Sequence, residues 1–515
     1  MNHLPVLPIV IPLACAALML MFERHGMAAQ RILAWTGMAS IALSVLLLLG
    51  PANAGEITVY LLGNWPAHLG IALVVDRLTV LMLIATTLLA GCALLYASSG
   101  SDKRAPHFHA LFQLQLAGLN GAFLTGDLFN LFVFFEMLLI ASYGLLLSGG
   151  KGLRMRAGLH YVAFNITASL LFLVALGLLY GLTGTLNMAE MAYRVAQMPP
   201  ADAGLIRAAG LLLLVVFCSK AALLPLYFWL PQTYMRAPAA VAALFAIMTK
   251  VGVYAVVRVF TLVFGTDAGV ASNLAIAWLM PAAAITLVLS ALGALAARSL
   301  RTLAAYLIIG SAATVFIATA LNNTPAFAAG LYYLLHSSLV GAALFLIADL
   351  VGQQRAGAGA GDSLHRLSTM HHAALLGTLY VLAAMSVAGL PPLSGFIGKL
   401  SLLASMNSAQ AAWLWPVILL SSLLVLLALA RAGSHVFWRR PEPAQAAPVE
   451  PTPALAGLEI AGTGILLALG ILLAVAAAPV LRFTTATAAQ LADPAQYREA
   501  VRTAQPLPPA KGIRQ

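Results

Sequence analysis

Stretches of about twenty consecutive apolar residues follow one another along almost the whole chain, separated only by short polar joints. This pattern constrains the fold more than any other feature. A helix rises about 1.5 Å per residue, so about twenty residues cross a hydrocarbon core about 30 Å thick while making every backbone hydrogen bond internally. Composition agrees: 62% of the 515 residues are hydrophobic and 8% are charged, whereas soluble domains carry about 25% charged residues. The expected fold class is an all-α polytopic membrane protein.

Fourteen spans are expected, at about 4–22, 31–50, 74–97, 108–126, 128–148, 158–182, 207–228, 239–264, 272–296, 302–321, 326–350, 373–404, 411–438 and 455–481. Leu4 to Phe22 has no Lys or Arg before it and no small-residue cleavage site after it, so it reads as a first span and not as a cleaved signal peptide. Alternate loops hold Arg24, Arg31, Lys103, Arg104, Lys151, Arg154, Arg156, Arg236, Arg298, Arg301, Arg355, Arg366, Arg439 and Arg440. The remaining loops hold Arg194 and Arg207 alone. The bias places the first set in the cytoplasm and both termini outside it, and a bacterial inner membrane is the expected location. The net charge of +11 is therefore topological, without the basic run or aromatic interleaving of a nucleic-acid surface.

Cys15, Cys92 and Cys218 stand singly in apolar segments and read as packing residues. Between Thr183 and Arg207, Asn187 and Glu190 have capping-box spacing, with Met188, Met191, Ala192 and Val195 on one face. That predicts a short helix lying on the outer surface. Ala356 to Asp362 reads as a flexible Gly/Ala loop, Pro441 to Pro453 as a Pro/Ala-rich connector, and the tail after Leu481 as polar and loosely ordered. No cofactor and no metal are expected.

The chain has six lysines, and Lys220, Lys250 and Lys399 fall inside predicted spans, as does Glu136 in the fifth. A charge at the bilayer centre costs at least about 2.5–3.5 kcal/mol, so such residues usually face a wet interior and act on ions or protons. The alternatives are snorkelling side chains or static ion pairs that pin helices. Pro225 and Pro231 follow Lys220, while Pro391 and Pro392 precede Lys399. Helices broken in corresponding positions of two halves are the mark of an inverted-repeat transporter, with freed backbone groups lining a cavity. A lysine of ordinary pKa, about 10.4, exchanges protons near neutrality only after falling by about three pH units, roughly 4 kcal/mol. Desolvation favours that fall and a nearby carboxylate opposes it, so a Glu136 and Lys220 contact that forms and breaks is a switch. His336, inside the eleventh span beside Ser337 and Ser338, suits a relay between lysines, with a hydrogen-bonded packing histidine as the competing reading. Asp127 and Asp349 read as solvated boundary residues and Arg258 as a snorkelling side chain.

These residues resemble the antiporter-like membrane subunits shared by respiratory complex I and the multisubunit Mrp/Pha cation/proton antiporters, over about residues 105–440. The most specific stretch runs Ser219, Lys220, Ala221, Ala222, Leu223, Leu224, Pro225, Leu226, then Trp229, Leu230, Pro231, Ala237 and Pro238, then Lys250, Gly252 and Tyr254. Phe135 with Glu136, Leu303 to Tyr306 after Arg301, and Gly389 to Lys399 match further landmarks. The resemblance implies that Glu136 and Lys220 form an input switch, Lys250 is a central relay, His336 bridges two half-channels and Lys399 opens to the other side. It also implies three N-terminal helices in residues 1–104, a first repeat of helices four to eight in 105–265, an inverted second repeat of helices nine to thirteen in 266–440, and a linker, helix fourteen and polar tail in 441–515. Lysine at 399 and the ending Arg431, Ala432, Gly433, Ser434 to Phe437 and Trp438 resemble the D-type members of Mrp/Pha antiporters. The chain departs from the family at Val340 and Gly341, where other members often carry a lysine. The implied function is proton translocation within a hetero-oligomeric Na⁺ or K⁺/H⁺ antiporter, alongside sister subunits and membrane lipids and without nucleic acid. That makes the chain a transporter subunit and not an enzyme, with a proton-pumping subunit of a redox complex, complex I or a membrane hydrogenase, as the alternative.

Overall fold

The computed structural model describes residues 3–67, 69–150, 152–355, 360–366, 370–439 and 454–506. Lys151, Arg440, the Pro441 to Pro453 connector and part of the Gly/Ala loop lie outside the described residues. Two helices, α1 (Leu7–Met21) and α2 (Gly26–Ala54), lead into a two-stranded antiparallel ribbon, β1 (Thr58–Leu61) with β2 (Ala72–Val75), in which Thr58 faces Val75. Helices α3 (Arg77–Ala97), α4 (Phe108–Leu124), α5 (Leu128–Leu147), α6 (Leu153–Thr183), α7 (Met188–Ala196) and α8 (Ala203–Lys220) follow. After the short α9 (Trp229–Tyr234) come α10 (Ala239–Leu262), α11 (Ile276–Leu295), α12 (Leu300–Ala320) and α13 (Thr324–Gln354). The chain then forms α14 (Ala373–Ala388), α15 (Ser394–Ala404), α16 (Ser408–Gly433), α17 (Gly457–Val475), α18 (Ala477–Ala492) and α19 (Pro494–Thr503).

Among the described residues twelve helices are long and apolar enough to cross a membrane, which makes the chain a multi-pass membrane protein. The other two expected spans take different forms. Residues 108–126 become the 17-residue α4, whose Gln113, Gln115 and Asn120 are buried against protein. Asn120 Nδ2 donates to Pro8 O at 2.8 Å and Gln113 Nε2 to Ala34 O at 3.1 Å. A helix held that way needs no continuous lipid-facing stripe. Residues 373–404 divide into α14 and α15 around Pro391 and Pro392, which have no backbone N–H to continue a helix.

Side-chain caps set the starts of several helices. Asp76, Asp127, Ser299 and Asn323 each accept a backbone N–H from the first turn of α3, α5, α12 and α13. Asn187 does the same for α7, whose buried face is Met188, Ala189, Met191, Ala192 and Val195, as its spacing predicts. Glu190 pairs with Arg194 at 2.9 Å. All of α10 except Thr261 is buried, and most of α12 and α13 is buried too. Around them, α6 and α16 present exposed rows such as Leu159, Leu170 and Val174, and Leu419, Leu423 and Leu427. The centre of the bundle is thus α10, α12 and α13, and these helices carry Lys250 and His336.

Three readings from sequence change. Arg258 does not snorkel: it is buried, and its Nη1 and Nη2 meet the Asp76 carboxylate at 2.6 and 2.8 Å. Asp349 is not simply solvated, since it accepts from Tyr96 Oη at 2.7 Å and from Gln353 Nε2 at 3.0 Å and pairs with Arg301. Residues 482–506 are not loose. Tyr497 of α19 lies under the Arg258 guanidinium at 5.0 Å, Arg498 pairs with Asp267 at 3.1 Å, and Arg502 sits over Tyr193 of α7 at 4.9 Å. A polar tail folds here because its two helices find a charge and aromatic rings to cover.

Removing one member of a buried ion pair strands the other and costs about 3–5 kcal/mol. Asp76→Ala is therefore expected to lower the thermal unfolding midpoint of the detergent-solubilised protein; an unchanged midpoint would show that Arg258 finds another partner.

Candidate functional site

The first cluster forms where α8 stops. Lys220 is the last residue of that helix, Ala222 takes a left-handed φ of 58°, and Pro225 and Pro231 follow before α10 begins. Backbone groups released by the break find side chains: Ser219 O accepts from Trp229 Nε1 at 3.1 Å and Leu224 N donates to Thr286 Oγ1 at 3.0 Å. Lys220 is 6% exposed, so its amine needs a partner inside the protein. Lys220 Nζ donates to Ser169 Oγ of α6 at 3.1 Å, and Ser169 Oγ donates in turn to Glu136 Oε1 of α5. The Phe135 ring lies 5.9 Å from the same amine. Glu136 and Lys220 are thus brought together, as expected, but through a serine and not by direct contact.

Lys250 sits at the middle of α10 with no exposed surface, and its Nζ donates to Ser311 Oγ of α12. Its helix reaches the end of α8 because of Gly252. A Cβ there would fall 2.7 Å from Ala221 N and 2.9 Å from Phe217 O, both rigid backbone atoms. Small size at 252 is what lets the Lys250 helix lie against the Lys220 break.

The third cluster forms at the second break. α14 ends in Gly389, which takes a φ of 83°, the left-handed turn that glycine adopts without strain. Lys399, on α15, reaches back over this end and donates to Val387 O at 3.2 Å, Ala388 O at 3.0 Å and Ser422 Oγ of α16 at 3.1 Å. A cation at the C-terminal end of a helix also meets the negative pole of its dipole. His336 of α13 is fully buried, with Nδ1 hydrogen-bonded to Ser394 Oγ at 2.9 Å and Nε2 without a hydrogen-bond partner among the described residues. Lys250, His336 and Lys399 therefore each bond a different hydroxyl, and none of the three bonds another.

The arrangement is a set of titratable groups inside the bundle, each joined to a hydroxyl, a group able both to accept and to donate. Sequence reasoning missed Ser169, Ser311 and Ser422. A serine in an apolar helix ordinarily satisfies itself on the preceding turn, so nothing in its local sequence marks it as a partner of a lysine. Gly252→Val should force α8 and α10 apart at a cost of at least about 1–3 kcal/mol. Thermal unfolding and size-exclusion profiles of the purified variant measure this, and a wild-type profile would contradict the close approach.

Residues 125–425, which include all five candidate residues, match the family model described as NADH:quinone oxidoreductase/Mrp antiporter, transmembrane. The D component of a probable K⁺/H⁺ antiporter of Rhizobium meliloti is 40% identical, covering 98% of each chain. The D component of the Na⁺/H⁺ antiporter of Bacillus subtilis is 39% identical over 85% of this chain and 87% of its own. Among solved structures, a chain of the Mrp complex from Dietzia sp. DQ12-45-1b superposes with a TM-score of 0.85 at 26% identity, covering 98% of this chain and 100% of that one. A chain of the archaeal membrane-bound sulfane sulfur reductase shares the fold with a TM-score of 0.85 at 23% identity, covering 96% and 99%. With a lysine at each helix break and a family match that spans them, the chain belongs to the NADH:quinone oxidoreductase/Mrp antiporter membrane-subunit family.

Proposed function

We propose that the chain is the proton-translocating, D-type component of a multisubunit monovalent cation/proton antiporter in a bacterial inner membrane, exchanging protons for Na⁺ or K⁺. The observation that carries this reading is the connection Glu136, Ser169, Lys220 inside the bundle, in a chain whose relative matched over 98% of both lengths is named as the D component of an antiporter. Glu136 and Lys220 hold and release the proton on one side, Lys250 holds it at the centre, and Lys399 releases it on the other side. His336 belongs to the same set through its bond to Ser394, the first residue of the Lys399 helix. The two helix breaks mark two inverted repeats, and both termini face away from the cytoplasm. Such a chain works beside sister subunits and lipids as a transporter.

A carboxylate and a lysine joined through one hydroxyl suit a switch. While Glu136 is ionised it favours the charged amine, and displacement of Ser169 or protonation of Glu136 removes that support and frees the lysine to give up its proton. A static ion pair has no need of a hydroxyl that shuttles hydrogen bonds between its members.

Expression of the complete operon in a strain lacking its main antiporters, followed by dye-reported pH recovery in everted vesicles, tests the proposal. Glu136→Ala and Lys220→Ala are each expected to cut cation-dependent recovery by at least about a hundredfold, the low end of what a positioned proton-transfer group contributes. Lys103→Ala, at an exposed residue of the short 3-10 turn between α3 and α4, should leave it near wild type. Equal loss from all three would sink the site assignment, and a purified assembly that oxidises a reduced donor while pumping protons, with no response to either cation, would place the chain in a redox pump instead.

A further inference from the structure

The end of α16 gathers positive charge that no described carboxylate answers. Arg431, His435 and Arg439 follow one another at intervals of four, through the wide turn Ser434–Trp438 that closes the helix. Arg431 Nη2 donates to Ala297 O at 3.0 Å, which ties this end to the start of α12, where Arg298 is exposed. Leu364 N donates to Arg298 O at 2.9 Å, so the loop after α13 brings the exposed His365 to the same place. The charged and titratable groups that act on His435 are Arg439, Arg431 and His365, all of them basic. Among the described residues no ion pair includes Arg298, His365, Arg431, His435 or Arg439. A topological signal asks only that basic residues lie in the right loops. Here three segments distant in sequence converge, and like charges one turn apart repel. An anion seated among them relieves that repulsion.

We propose that this cluster binds the phosphate of an anionic phospholipid, whose acyl chains lie along the outer face of α16. The inference goes beyond the transport reading and takes from it only the orientation that makes this leaflet the cytoplasmic one. Guanidinium groups present paired donors that match phosphate oxygens, and basic clusters at the cytoplasmic end of membrane helices suit such headgroups. The apolar part of the lipid has its place on the same stripe. Leu419, Leu423 and Leu427, each about half exposed, lead at the same interval of four up to Arg431, so one face of α16 is apolar in the bilayer and basic at its edge. Trp438, 64% exposed, stands beside the basic groups, at the headgroup level where indoles settle. A free phosphate would meet the arginines and leave the leucine row unused, which is why the source is a lipid.

The test places the photocrosslinking residue p-benzoylphenylalanine at position 438 of the chain in its complete assembly, reconstituted in phosphatidylcholine vesicles that hold a minor fraction of phosphatidylglycerol. Phosphatidylglycerol is expected to crosslink well beyond its share of the lipid. Arg431→Gln and Arg439→Gln should each lower that excess by about fivefold, the worth of one basic side chain at a membrane surface. Arg439→Gln decides the matter if loss of the Arg431 bond to Ala297 O prevents assembly. The excess should survive added inorganic phosphate. Crosslinking in proportion to the lipid mixture, loss of the excess to free phosphate, or crosslinks that run to a sister subunit or to the connector bearing Glu442 and Glu450 in place of lipid would each overturn the assignment. None of these outcomes touches the transport reading, which Lys220→Ala tests separately.

Discussion

A charged amine inside a membrane bundle has no bulk water to solvate it, so the protein must supply its partners or the amine must lose its proton. In this chain the partners are mostly single hydroxyls: Ser169 for Lys220, Ser311 for Lys250, and Ser422 with two backbone carbonyls for Lys399. A full carboxylate in contact would hold the proton firmly, as the Asp76 carboxylate holds Arg258 in a buried pair that serves stability. A hydroxyl holds it weakly and passes it on. The Arg258 pair acts as a pin, whereas the lysine sites suit the relay proposed above, and both kinds of site occur on α10, eight residues apart.

The helix breaks follow from the same need. An unbroken helix satisfies its own carbonyls and offers an amine nothing, whereas the ends at Lys220 and Ala388 leave backbone groups to be satisfied by side chains. Lys399 uses two such carbonyls directly. At the other break Trp229 and Thr286 take that task, leaving Lys220 to Ser169. Gly252 and Gly389 make these ends approachable, one by having no side chain where two helices meet and the other by turning the chain in a left-handed conformation.

Much of this was legible in the sequence, because hydropathy is a strong signal for membrane helices and a lysine among twenty apolar residues has few explanations. Twelve of the spans, the breaks near the prolines, the capped helix after Asn187, the buried Lys220 and Lys250, and Glu136 and Lys399 inside apolar helices were readable from spacing. The α4 span differed because a helix sealed inside protein is free to carry glutamines, and the tail after Leu481 differed because its order depends on Arg258, Asp267 and Tyr193, far away in sequence. The Asp76 partner of Arg258 and the serines that join the lysines were hidden for the same reason: a contact between residues 182 or 61 positions apart leaves no local periodicity.

The most direct measurement of whether these amines work by releasing protons, and not merely by being charged, is cation-dependent pH recovery in everted vesicles carrying Lys220→Arg. Arginine keeps the positive charge and a donor for Ser169 but does not give up its proton at any physiological pH. A relay predicts that the variant assembles with its sister subunits and exchanges nothing. Exchange at the wild-type rate with arginine in place would contradict it, and would mean that position 220 contributes only a fixed charge.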